Sequence, residues 1–153
     1  MDMKLEIYDA QALNFVELNY TGGNDTYIRC DKESKYLDSI VFNIFSPCFE
    51  NANKLYEYYG PTKYNARKII PLRNELLSYL KQLESINSSD DFSETIGSHF
   101  LGNEFIDALN TISSDWEPNW KVYLDSLMVI NKEMILLTEK CADEEKILWV
   151  VGY

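Results

Sequence analysis

The apolar positions of this chain follow two different periods, and the change between them divides the sequence. Over residues 3–8, Leu5 and Ile7 alternate with polar neighbours, and 13–19 and 26–30 carry short alternations of the same kind. The run Gly22-Gly23-Asn24-Asp25 separates the last two, so the first thirty residues predict a small β hairpin or ribbon. From Tyr36 the period becomes helical. Tyr36, Leu37, Ile40, Val41, Ile44 and Phe45 keep this spacing up to Ser46-Pro47, a pair that can stop one helix and cap the next. Phe49, Ala52, Tyr56 and Tyr59 form a further stripe ending at Gly60-Pro61, which reads as a terminator.

Pro71 can open the next helix, in which Leu72, Leu76, Leu80, Leu83 and Ile86 recur at steps of four and three. The loop and cap signal over residues 87–91 is followed by a short helix around 92–98 and a better one at 103–112, carrying Phe105, Ile106, Leu109 and Ile112. The strongest helical signal comes last. Asp115 or a near neighbour caps it, and Pro118 lies in its first turn, where no hydrogen bond is lost. Trp120, Leu124, Leu127, Ile130, Met134, Leu137 and Cys141 then hold one face, with Asn131 and Thr138 at its edge. Residues 146–151 read as a terminal strand pairing with the N-terminal ribbon. The pattern therefore predicts one domain over residues 1–153, mostly α within the α+β class. It is a compact helical domain of five to six helices with a small N-terminal β ribbon and a C-terminal strand.

Composition supports a self-sufficient core: 46% of the residues are hydrophobic and 14% aromatic. Cys30, Cys48 and Cys141 form no CxxC pair and fit neither a disulfide framework nor a zinc site, which points to reduced thiols in a cytoplasmic protein. The opening residues lack the apolar core of a signal peptide, and no apolar run is long enough to span a membrane. The sequons at Asn19, Asn24 and Asn87 are accordingly read as coincidental.

The net charge of −11 disfavours independent affinity for nucleic acid or an anionic membrane and favours a basic partner. Its distribution is uneven. Residues 54–81 hold six cations against two carboxylates, whereas residues 82–120 hold eight carboxylates and no Lys or Arg. Mutual repulsion in such a stretch opposes folding, so a recognition role is weighed beside a merely solvated face.

Signs of catalysis are missing from the pattern. His99 is the sole histidine, lies between two predicted helices and has no nucleophile motif beside it, so a structural or helix-end role is expected. No HExxH, EF-hand loop, GxGxxG or P-loop occurs, and neither a metal nor a cofactor is expected. The basic 54–81 segment interleaves cations with Tyr56, Tyr58, Tyr59, Tyr64 and Tyr79, a nucleic-acid cue, but packing is the preferred reading within so acidic a chain.

Short, acidic, free of catalytic motifs and rich in Asn and Tyr, the chain resembles the immunity proteins of contact-dependent growth inhibition and related polymorphic toxin systems. Its closing stretch, Trp120–Tyr153, looks like the ending of such proteins. The resemblance implies a non-enzymatic protein that binds one cognate toxin domain, often a nuclease with a basic cleft, and blocks substrate access. The cation-free segment would then lie where phosphates go, with Asp90, Asp91, Glu94, Asp115 and Glu117 as contacts and Phe92, Trp116 and Tyr58 as aromatic anchors. Trp120 is assigned to the core. Competing readings are a DNA-mimicking inhibitor of the anti-restriction or anti-CRISPR type, a small hydrolase using His99, and a scaffold subunit.

Overall fold

The computed structural model describes residues 3–10, 14–98 and 101–153. Among them are strands β1 (Phe15–Asn19), β2 (Lys35–Asp38), β3 (Gly60–Tyr64) and β4 (Leu148–Gly152). Five helices accompany them: α1 (Ser39–Ala52), α2 (Ala66–Glu84), α3 (Ser89–Gly97), α4 (Gly102–Ile112) and α5 (Trp120–Asp143). The class is α+β. The strands form one antiparallel sheet in the order β2-β1-β4-β3, so the closing strand sits beside the first, as its apolar run predicts. No helix among the described residues is long and apolar enough to cross a membrane.

Alternation along β1 and β4 divides the sheet into two buried faces. Val16, Leu18, Leu148 and Val150 join the main core with Leu37, Phe45, Leu72, Leu76 and Ile130. On the other face, Phe15 and Tyr36 pack with Tyr8, and Tyr27 lies against Trp149 with ring centroids 4.9 Å apart. That second face is covered by the irregular segment between β1 and β2, where the alternation at 26–30 predicts a strand and none forms. The partner of β1 is Lys35–Asp38, so Tyr36 and Leu37 are strand residues and not the start of a helix. Residues 3–10 contribute one isolated bridge, Tyr8 to Tyr36. Asp38 holds them there, accepting hydrogen bonds from the Lys4 backbone and the Tyr8 hydroxyl, each at 2.7 Å.

Three prolines behave differently from their sequence reading. Pro47 lies inside α1, which runs on to Ala52. A proline there leaves the carbonyl four residues back without its N–H. That carbonyl belongs to Asn43, and the Ser46 hydroxyl donates to it at 3.1 Å. Pro71 lies inside α2, whose true start is Asn65; its side chain accepts from the Arg67 N–H at 3.1 Å. Gly60-Pro61 opens β3 instead of ending a helix. β3 is an edge strand, where a missing N–H is tolerated. Pro118, expected in the first turn of the last helix, sits in the 3-10 turn Glu117–Asn119 that precedes α5, and the N-cap residue of α5, Asn119, makes no side-chain cap bond.

Candidate functional site

The acidic segment becomes α3, α4 and the connections flanking them. Ser88 caps α3, its hydroxyl accepting from the Asp91 N–H at 3.0 Å. The Asp91 carboxylate answers by accepting from the Asn87 N–H and the Thr95 hydroxyl, both at 3.3 Å. This reciprocal arrangement resembles a capping box, so Asp91 is half-buried and engaged in starting the helix. Asp90 and Glu94, four residues apart on the same helix, are exposed.

Two of the expected aromatic anchors are core residues. Phe92 and Trp116 are buried, with ring centroids 5.8 Å apart, and the Trp116 indole donates to the Asn110 side chain. Neither can reach a partner on the surface. Their contact has a different consequence: it ties the first turns of α3 to the α4–α5 connection, which carries exposed Asp115 and Glu117. The ion pairs among the described residues are Lys35–Asp9, Arg73–Glu139 and Lys146–Glu144. None involves a carboxylate of residues 82–120. Seven of those eight carboxylates are exposed, Asp91 being the exception. His99 lies outside the described residues.

Tyr58, the third expected anchor, is half-buried and lines a cleft of about 720 Å³. One wall is α1, with Ser39, Asn43 and Glu50 spaced by four and seven residues and so on one helical face. Residues 53–59 form a second wall with Tyr56, Tyr58 and Tyr59. Leu101 and Glu104 at the start of α4, and Gly152 and Tyr153 at the end of the sheet, also line it.

The tyrosine-bearing turn is held from several sides. The Asn53 side chain accepts from the Leu55 N–H and donates to the Lys63 carbonyl, each at 3.0 Å. The Thr62 hydroxyl accepts from the Glu57 N–H at 2.9 Å. Gly60 leaves the turn at φ 121°, in the glycine region. The turn presses so closely on β4 that a Cβ at Gly152 would lie 2.0 Å from the Tyr58 carbonyl oxygen. Tyr58 and Tyr59 meet edge to face at 4.6 Å, and Tyr59 stays 74% exposed.

The cleft is electronegative. Among the described residues Glu50 and Glu104 line it and no Lys or Arg does. Burial pushes the Tyr56 phenol above its ordinary range, and the Glu50 charge adds to this, so the ring stays neutral. Asn43, on the α1 wall, is 3% exposed. The sequence reading missed this residue; its one signal is a polar position inside the apolar run of α1.

Glu17 was also missed. It is fully buried in β1, and no ion pair involves it among the described residues. One carboxylate oxygen accepts from the Ser34 hydroxyl at 2.7 Å, the Cys30 N–H at 2.8 Å and the Asn19 amide at 3.2 Å. The other accepts from the Tyr153 hydroxyl at 2.6 Å. Four donors engage the two oxygens, and three of them pull the β1–β2 segment and the residue after β4 onto the sheet. This is a fastening. No group of three or more potential metal ligands occurs among the described residues.

Comparison with family models, curated proteins and solved structures finds no match.

Proposed function

We propose that this protein binds and neutralises a basic bacterial toxin domain, a nuclease by class, by laying its acidic side over the toxin's active-site cleft. The single observation that carries the reading is the state of the carboxylates of residues 82–120: seven are exposed and none is ion-paired within the described residues. Charges left unpaired in this way oppose folding and contribute to stability only indirectly, whereas they accelerate encounter with a positively charged surface. A group of carboxylates also offers the charge of a run of phosphates, which is what a nuclease cleft is built to accept. Tyr58 and Tyr59, beside the same segment, supply amphipathic anchors at low conformational cost.

The test uses the purified protein and the basic domain encoded beside it. Stoichiometric inhibition of that domain's nuclease activity is expected, with an association rate that falls steeply as salt rises. A domain that keeps full activity in the presence of excess protein, or association indifferent to salt, would remove the reading.

A further inference from the structure

We propose that the outward face of α5 docks a second copy of this chain, the two helices running antiparallel about a twofold axis at Val129. The proposal does not depend on the basic-partner reading.

Val122, Val129 and Leu136 are 61%, 53% and 64% exposed. They stand seven residues apart, and a helix drifts only about 20° over seven residues, so the three form one apolar stripe along the outside of α5. Single exposed apolar side chains are ordinary, but a row on one helix at this spacing is the pattern that packs against another helix. The apolar surface continues beyond Leu136 into a hollow of about 390 Å³ that Ile7, Tyr20 and Leu137 also line.

Charge identifies the occupant. The net charge of −11 drives copies of the chain apart, yet the outward side of α5 is balanced, with Lys121, Lys132 and Lys140 against Asp125, Glu133 and Glu139. Copies repel each other least there. One flank of the stripe reads Lys121, Asp125, Lys132 and Glu139. Glu139 pairs with Arg73, which sets this flank on the α2 side, and it stays partly exposed. A twofold axis at Val129, perpendicular to the helices, brings the flank against itself in reverse order. Asp125 then stands beside Lys132 of the second copy, and Lys121 beside its Glu139. The members of these pairs are offset by one and two residues, about 1.5 and 3 Å along the helix. Symmetry repeats both pairs, so opposite charges border an apolar seam in which Val122 opposes Leu136 and Val129 opposes itself. Antiparallel order also sets each helix N-terminus beside the other's C-terminus, which the helix dipoles favour.

A contact confined to one helix face is smaller than a standard interface, so a weak dimer is expected, half-formed at about 100 μM. Sedimentation equilibrium of the full chain from about 10 μM to about 1 mM measures it. Val129→Glu sets two carboxylates against each other on the axis and should leave the protein monomeric. Its urea midpoint should not change, because the position is exposed. Asp125→Lys and Lys132→Glu, both at exposed positions, should each weaken dimerisation by about tenfold, since either turns both central pairs into like-charge contacts. An equimolar mixture of these two variants should restore the parental affinity, because lysines from one then meet carboxylates from the other. Parallel packing does not bring residue 125 to residue 132 and gives no such rescue. A chain that stays monomeric at about 1 mM, which leaves the stripe to a different partner, overturns the proposal. So does a dimer indifferent to Val129→Glu, or a mixture that associates no better than its components.

Discussion

The Tyr153 hydroxyl donates to Glu17 at 2.6 Å, so the residue that follows β4 is fastened to the centre of β1, two strands brought together from opposite ends of the sequence. Glu17 is fully buried, and the bond is one of four that its carboxylate accepts. Hydrogen bonds to a charged acceptor contribute about 1.5–3 kcal/mol each, and a buried donor left unpaired costs a similar amount. Tyr153→Phe is therefore expected to lower unfolding free energy by about 1–3 kcal/mol with little change in the cooperativity of urea unfolding. Glu17→Ala should cost more, about 3–5 kcal/mol, because it orphans the Cys30 N–H and the Ser34 hydroxyl together. Equal stabilities for the two variants in urea titrations would show that the carboxylate does not hold the β1–β2 segment.

Asn131 presents the opposite situation. It lies wholly buried on α5, and neither its amide nitrogen nor its amide oxygen has a hydrogen-bond partner among the described residues. Thr138, two turns further along the same helix, satisfies itself by donating to the Ile135 carbonyl at 2.6 Å. Replacing Asn131 by the near-isosteric Leu removes two unsatisfied polar atoms and adds apolar burial, so unfolding free energy should rise by about 1–3 kcal/mol. Urea titration with an unchanged m-value checks it; destabilisation would mean that a buried water bridges the amide.

The three thiols separate by environment. Cys48 and Cys141 are buried, and desolvation pushes the former up to about 12 and the latter to about 11, from an ordinary 9.0. The folded state thus holds these protons more tightly than the unfolded chain. Their contribution to stability is complete below pH 9 and is lost as pH rises through 11 and 12, because the unfolded thiols ionise first. The urea midpoint should fall across that window, and a Cys48→Ala, Cys141→Ala double variant should fall less steeply. At neutral pH a thiol reagent should modify Cys30, which is partly exposed, well before the other two.

Which of these features could be read in the sequence depends on whether one element or several create them. The apolar stripe of α5 is a property of a single helix, and it predicts the buried face from Leu124 to Cys141 that the structure contains. β4 was legible for the same reason. β3 was not, because Gly60-Pro61 ends most elements and is compatible with a strand only at a sheet edge, a fact of tertiary order. Tyr36 and Leu37 run without a break into the apolar positions of α1, so their period alone assigns them to the helix, while pairing with β1 overrides it. Apolar residues set among carboxylates, such as Phe92 and Trp116, look the same in sequence whether they are surface anchors or core; burial against each other decides the matter. The cleft draws on two helices, a turn and the end of the sheet, and no local pattern announces it. Of the expected partner contacts, Tyr58 alone lies in it.

The positions of Phe92 and Asp91 also change how the acidic surface must be tested. Reversing Asp90, Asp91 and Glu94 together would confound charge with fold, because Asp91 takes part in capping α3. Loss of that cap alone is worth about 0.5–2 kcal/mol. Asp90→Lys, Glu94→Lys and Glu117→Lys act at exposed residues without ion-pair partners, and the triple variant should keep its melting temperature close to that of the parent protein. If the carboxylates steer a basic partner, the same variant should associate more slowly by about tenfold or more at low salt, the difference narrowing as salt screens the charges. Phe92→Ala provides the contrast. It empties a fully buried site against Trp116 and should cost about 3–5 kcal/mol in unfolding free energy. Where that variant remains folded, its carboxylates remain, so association should slow far less than in the triple variant. Stopped-flow association at two salt concentrations, paired with urea unfolding of each variant, distinguishes the two effects. A triple variant that associates as fast as the parent would show that the acidic side of α3 and the α4–α5 connection faces no partner.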